Sequence, residues 1–498
     1  MIDIRHAFLD YFQSVITFRS FFVFKIFVYI SLFASLWFVI FTPLIADDFI
    51  VIFQPINQQS DVFSIQSFFE IVFKLIETGT HVNFLGQTFS LIFMNLWLNF
   101  AISMQLPIFL GYLALRSALW ALLLHSSYCT VTLFVRIDTR TRIYFFATFT
   151  CFLQIHALWS NDPITSFPFS GLFASSCLFY SVFLSYKILT SDKSAYLFII
   201  IPLNIAVFSM YELNICLVLY QFLLIIHLYR SRVKNFLFCG KAIFCAFLPT
   251  LFNIFTVLML AKQKNSYSGT SFSYDDIPKA LFTFIYNILS VVPYFSWSFM
   301  VSTKFGILDF LWVVNVLVVF AIMTSSFFLY RHTKARFHRT DKQGFVGGPY
   351  LPLVATALGS VLIQSMTSKV QKETSGPHSV YIFHLNLFVC AVVLGTVFLV
   401  KIFQSEQRKK RLHLILIGMI LLQTSQNGVQ SFLIEGEFQS NMKIVNSLTK
   451  KIDVLERCRI LEEWQARDWP QNYSQTLNLG IDYFSFKVQG EKFCSINQ

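Results

Sequence analysis

Charge is scarce in this chain. Only 13% of its 498 residues are Asp, Glu, Lys or Arg, against roughly 25% in an ordinary soluble domain. Catalytic motifs of the common soluble kinds are missing too. No CxxC, HExxH, Walker or GxGxxG pattern occurs, so ATP-driven transport and zinc hydrolysis have no support. Internal repeats and low-complexity tracts are absent. No small-residue cleavage site follows the first apolar run, which is too long for a cleavable signal.

What remains is apolar: 55% of the residues are hydrophobic and 61 are Phe. Apolar runs of about 17–25 residues recur, the length needed to cross a bilayer as helix. The expected fold is therefore an all-α polytopic membrane protein with about eleven transmembrane helices. We place them at 21–44, 106–128, 143–159, 169–188, 195–210, 213–229, 236–260, 306–330, 345–366, 379–402 and 412–426, the last being the shortest. Residues 1–20 read as a cytoplasmic amphipathic lead-in, 21–426 as the multi-span domain, and 427–498 as a small α-rich tail.

The net charge of +12 does not point to nucleic acid. The basic residues sit between apolar runs: Arg136, Arg140 and Arg142; Arg230, Arg232 and Lys234; Arg331 to Arg339; Arg408 to Arg411. With a cytoplasmic N-terminus every cluster falls on the cytoplasmic side, as the positive-inside rule requires. Long outer loops then span 45–105 and 261–305. The first contains "SIQSFFEIVFKLIETG", which fits an interfacial helix, and "LIFMNLWLNFAISM", read as interfacial or re-entrant. The second contains "IYNILSVVPYFSWSFM", read as a membrane-embedded loop broken by Pro293.

Seven of the nine Cys lie in or beside spans, where single Cys serve as small core hydrophobes. Cys458 and Cys494 fall in the tail and can pair if that face is oxidising. Lys25 reads as a snorkelling side chain. Arg116, inside the second span, must pair or line a cavity. His156 and His384 read as satisfied core residues. Trp464 and Trp469 fit packing within the tail.

Two adjacent acids, Asp47 and Asp48, close the first apolar run. A carboxylate at membrane depth is costly unless solvated, paired or metal-bound. Two together suit base catalysis or a divalent cation, although no cofactor is required. Glu212 lies in a tight outer turn with Tyr211. Lys262, Lys264, Tyr267 and Thr270 supply donors in the second outer loop. His81 and Gln87 lie further along the first outer loop.

On "ADDF" (46–49), "NFLGQ" (83–87), "SMYELN" (209–214), "YSGTSFSYDD" (267–276) and the tail "ERCRILEEW…DWPQNYSQTL…FC", the chain resembles the GT-C superfamily of membrane glycosyltransferases. It is most similar there to the serotype-converting O-antigen glucosyltransferases. The Arg that often follows the acids in that family is replaced by Phe49, Ile50 and Val51. The resemblance implies a bacterial inner-membrane hexosyltransferase acting in cell-envelope polysaccharide synthesis. Its donor would be a polyprenyl-phosphate sugar, and its acceptor a glycan or lipid-linked glycan on the outer face. Asp47 or Asp48 would be the base, His81 and Gln87 would contact the sugar if the first loop folds over the site, and Trp464 and Trp469 would be placed to stack on acceptor sugars. The rival classes are a multi-span transporter or lipid-linked-glycan flippase, an O-antigen polymerase or ligase, and a purely structural membrane protein.

Overall fold

The computed structural model describes residues 2–40, 96–97, 100–101, 103–104, 106, 108–155, 169–191, 193–261, 277–289, 291, 350–366, 383–402, 413–432, 447, 453–465 and 494. These residues are helical or lie in the turns between helices. The elements are α1 (Ile2–Ile40), α2 (Ile108–Val131), α3 (Thr139–Phe152), α4 (Ala174–Thr190), α5 (Ile200–Met210), α6 (Leu217–Arg230) and α7 (Phe236–Ala261). Then come α8 (Ile277–Leu289), α9 (Tyr350–Ser365), α10 (Phe383–Ile402), α11 (residues 413–432) and α12 (Val454–Gln465). A π turn, Phe169–Phe173, opens α4, and 3-10 turns Ser194–Ile199 and Glu212–Cys216 open α5 and α6.

Among the described residues, three stretches are long and apolar enough to cross a membrane: Phe21–Ile40, Gly171–Thr190 and Phe236–Phe255. Shorter apolar helices cover Ser194–Met210, Asn214–Arg230, Tyr350–Ser365 and Leu385–Val400. The expected span 306–330 lies outside the described residues. The lead-in and first span form one unbroken helix from Ile2 to Ile40. The last expected span, 412–426, is part of a helix that continues to residue 432. Within "LIFMNLWLNFAISM", the ring of Trp97 occupies the place a Cβ on Gly111 would take. Trp97 therefore lies directly against the start of α2.

The exposed shell is apolar and much of the interior is polar. On α1, Phe22, Val23, Ile30 and Phe33 are exposed while Ser31 and Ser35 are buried. On α11, Leu414, Ile415, Leu421, Leu422 and Phe432 are exposed while Gln423, Gln426, Asn427 and Gln430 are buried. A soluble protein does the reverse. Lipid as the outer solvent accounts for it: apolar side chains cost nothing there, and polar ones must find partners inside.

The core holds Trp120, Phe145, Phe149, Phe388 and the buried faces of α4 to α7. Close helix contacts use small residues, as membrane bundles do. A Cβ on Gly395 would meet Thr148 Cγ2 at 3.2 Å, so α10 lies tightly on α3. Beside it the hydroxyls of Thr148 and Thr396 share a 2.7 Å hydrogen bond. At mid-bundle Asn204 and Gln221 exchange amide hydrogen bonds at 2.9 and 2.8 Å, and Gln221 Nε2 also donates to Ser185 Oγ. One polar node thus joins α4, α5 and α6.

Side-chain contacts fix helix direction. Phe24 stacks on His413, Ser35 meets Thr424, and Phe38 packs against Gly428. Hence α1 and α11 run parallel. Tyr144 meets His413, while Leu153 and Ile155 meet Asn427, so α3 runs the same way. The C-terminal ends of α1, α3 and α11 therefore share one end of the bundle. The other end carries Arg136, Arg140 and Arg142, and the α6–α7 turn with Arg230, Arg232 and Lys234. Lys234 Nζ donates to the Ser191 carbonyl at 2.6 Å, tying that turn to α4.

At this basic end Asp138 caps α3, accepting from Thr141 N–H at 2.6 Å. Removing such a cap costs about 1 kcal/mol, so Asp138→Ala should lower thermal stability to that extent. Desolvation, the largest single influence, pushes the Asp138 carboxyl up. The Thr141 hydrogen bonds and the Arg140 charge outweigh it and hold the group below its usual range. A depressed carboxylate stabilises above its unfolded value, roughly 3.9. That contribution is lost as pH falls through the folded value. The gap between wild type and variant in thermal melts should therefore be widest near neutrality and close in acid. An equal gap at pH 3 and pH 7 contradicts this.

Candidate functional site

The opposite end of the bundle is lined with amides. Helix α3 stops at Leu153, whose ψ of 104° is extended. Residues 153–155 continue without helix, all buried. Irregular backbone inside a membrane domain must have its polar groups satisfied by protein or by a water-filled cavity. Here α11 does so. Asn427 Oδ1 accepts from Ile155 N–H at 3.0 Å, and its Nδ2 donates to the Leu153 carbonyl at 2.8 Å. Gln423 Nε2 donates to the same carbonyl at 3.1 Å. Gln154 Nε2 donates to the Val291 carbonyl at 3.0 Å, bringing the chain beyond α8 onto this end.

Asn427→Ala should therefore strand the buried Ile155 N–H. Leaving such a donor unpaired costs about 1–3 kcal/mol. Thermal unfolding in nanodiscs should show the loss. An unchanged melt would mean that this backbone is not held by α11.

A second group of polar residues closes the same end. Ser175 Oγ donates to Asn386 Oδ1 at 2.9 Å, joining the starts of α4 and α10. Asn214 Nδ2 donates to the Ala174 and Val207 carbonyls, both at 3.2 Å. Asn214 N–H also donates to the Tyr211 carbonyl at 3.0 Å. The turn of "SMYELN" is thereby pinned, with Tyr211 extended and Glu212 opening the following 3-10 turn.

Among the described residues of α1 to α11, Arg116 is the buried cation. Arg116 is 1% exposed, and its guanidinium lies 4.7 Å from the centroid of the fully buried Tyr112 ring. It sits about 12 Å along α2 from Ile108, at 1.5 Å per residue. A cation at this depth marks a functional position by default. A guanidinium suits phosphate or carboxylate partners.

Of the site residues expected from sequence, the structure places the Tyr211–Glu212 turn at the amide-lined end. Asp47, Asp48, His81, Gln87, Lys262, Lys264, Tyr267 and Thr270 lie outside the described residues. Asp47 follows Ile40 by seven positions, a reach of at most about 25 Å for extended chain. Among the described residues no group of three or more His, Cys, Asp or Glu could hold a metal ion.

Sequence reasoning missed the amide face of α11. Its signal was present: Gln423, Gln426, Asn427 and Gln430 recur at helical spacing after an apolar run. In the tail, Cys458 is bonded to Cys494, the pairing the sequence allowed. No protein-family model matches the chain, and no curated protein or solved structure matches it.

Proposed function

We propose that the chain is a membrane glycosyltransferase that moves a hexose from a polyprenyl-phosphate donor to a hydroxyl of a glycan or lipid-linked glycan. In this reading about eleven helices cross a bacterial inner membrane. The basic end faces the cytoplasm, and the amide-lined end and the disulfide-bonded tail face outward. A disulfide persists on an oxidising side, and the basic end fits the positive-inside rule; both favour this orientation.

The observation that carries the reading is where α1 ends. Helix α1 ends at Ile40 beside α11, at the amide-lined end, and Asp47 and Asp48 follow it in the sequence. An acid pair there would meet polar side chains suited to a sugar, with a lipid-facing shell around them. Asp47 or Asp48 takes the acceptor hydroxyl proton as its oxygen attacks the anomeric carbon. The bond from that carbon to the phosphate oxygen breaks, releasing polyprenyl phosphate and inverting the centre. Lys262, Lys264, Tyr267 and Thr270 are the groups proposed to stabilise the leaving phosphate. Tyr211, Glu212, His81 and Gln87 are available to the sugars, and a divalent cation, if used, would sit on the acid pair.

A transporter or lipid-linked-glycan flippase is the second reading. It is favoured by the non-helical, buried backbone that follows α3 at residues 153–155, since irregular backbone within membrane helices frames transporter sites. The two are separated by supplying labelled polyprenyl-phosphate hexose to the purified chain in liposomes. Consumption of the donor with transfer of its hexose supports the transferase. An intact donor together with movement of lipid-linked glycan between leaflets supports the flippase and rejects our proposal.

A further inference from the structure

We propose that the amide face of α11 binds the hydroxyl groups of a neutral sugar, with Gln426 as its principal contact. Gln426 is fully buried, and neither its Nε2 nor its Oε1 has a hydrogen-bond partner. The Oε1 of the neighbouring Gln423 is likewise buried and unpartnered, although its Nε2 is engaged by the broken end of α3. Native interiors leave few such groups, and each one calls for a reason. Asn427, one residue on, makes three hydrogen bonds. The contrast separates two roles on one helix: Asn427 holds the backbone of α3, while Gln426 holds nothing in the protein.

The chemistry of the vacant groups selects the ligand. A primary amide offers two donors and an acceptor and carries no charge. The described inward face of α11 near Gln426 consists of amides, with no carboxylate or ammonium. An anion or cation buried there would lack a counter-charge and bear the full cost of desolvation. A neutral group with several adjacent O–H groups meets both sides of each amide at once. The sugar is thereby held at the end of the bundle where α1 ends. The site's role in hexose transfer rests on the function proposed above; its capacity to bind a sugar does not.

The test uses the full chain in nanodiscs with the methyl glycosides of glucose, galactose, mannose, rhamnose and N-acetylglucosamine as probes. Saturation-transfer difference NMR should give a signal with at least one glycoside above that of empty nanodiscs. Gln426→Leu, close to isosteric, should reduce that signal at least fivefold. It should also raise the melting temperature by a few degrees, because an unsatisfied buried amide has been removed. Gln426→Met gives the same readout if the Leu variant does not fold. Three results would each overturn the site: no glycoside signal in wild type, an undiminished signal in both variants, or a lowered melting temperature in both. Glycoside binding without donor turnover would reject the transferase and leave this site standing. Donor turnover without glycoside binding would do the opposite.

Discussion

Asp47→Asn or Asp48→Asn is expected to lower hexose transfer from a polyprenyl-phosphate donor by about 10²–10⁴-fold, the range contributed by a positioned general base. Asn keeps the size of the side chain and removes its proton affinity. The two acids need not contribute equally, since one removes the proton while the other orients the acceptor or holds a cation. The larger loss identifies the base. Donor binding should change little in the base variant, because the missing interaction forms only as the acceptor oxygen attacks. Wild-type rates in both variants would remove the acids from the chemistry and leave a membrane protein whose acid pair is replaceable.

The second large effect concerns the tail. Cys458 and Cys494 are 36 positions apart and bonded. Closing a loop of that size stabilises by about 3–4 kcal/mol on the chain-entropy account. Cys494→Ser should therefore raise the opening of the tail by roughly two to three orders of magnitude. Limited proteolysis of the intact chain reads this directly, with cleavage concentrated after α11. Cys458 is 3% exposed, so its freed thiol should react slowly until the tail opens. A second replacement, Cys458→Ser, should add little, because the bond is already lost. Rapid alkylation of both thiols in unreduced wild-type protein would contradict the bond and the oxidising side it implies.

Much of the helical layout is legible in the apolar runs. The turn between 195–210 and 213–229 is an example: two runs with almost no loop, and the structure places Tyr211 and Glu212 there, pinned by Asn214. The spacing of the basic clusters also anticipates that the two described ones, Arg136 to Arg142 and Arg230 to Lys234, share one end. Other features escape a reading by average hydropathy. Helix α11 looks finished at 426 because four amides follow its apolar start, yet those amides face inward and the helix continues. Several helices are short or carry buried polar residues, and these fall below the length and apolarity of a simple span. The break after Leu153 is equally hidden, since nothing local in "FLQIH" ends a helix. It depends on Asn427, far away in sequence, to receive the freed backbone groups. The acid pair was legible as an anomaly of sequence; the amide-lined end was not, because it is assembled from residues spread over most of the chain.

The central claim is that the acid pair faces outward, beside the amide-lined end and away from the basic turns. Sided labelling of Asp48→Cys with a membrane-impermeant maleimide in intact cells tests it most directly, read against the wild-type chain with its own thiols. The account predicts labelling from outside before permeabilisation, reduced when the polyprenyl-phosphate donor is present. Labelling only after the membrane is permeabilised would place the pair on the cytoplasmic side and contradict the account.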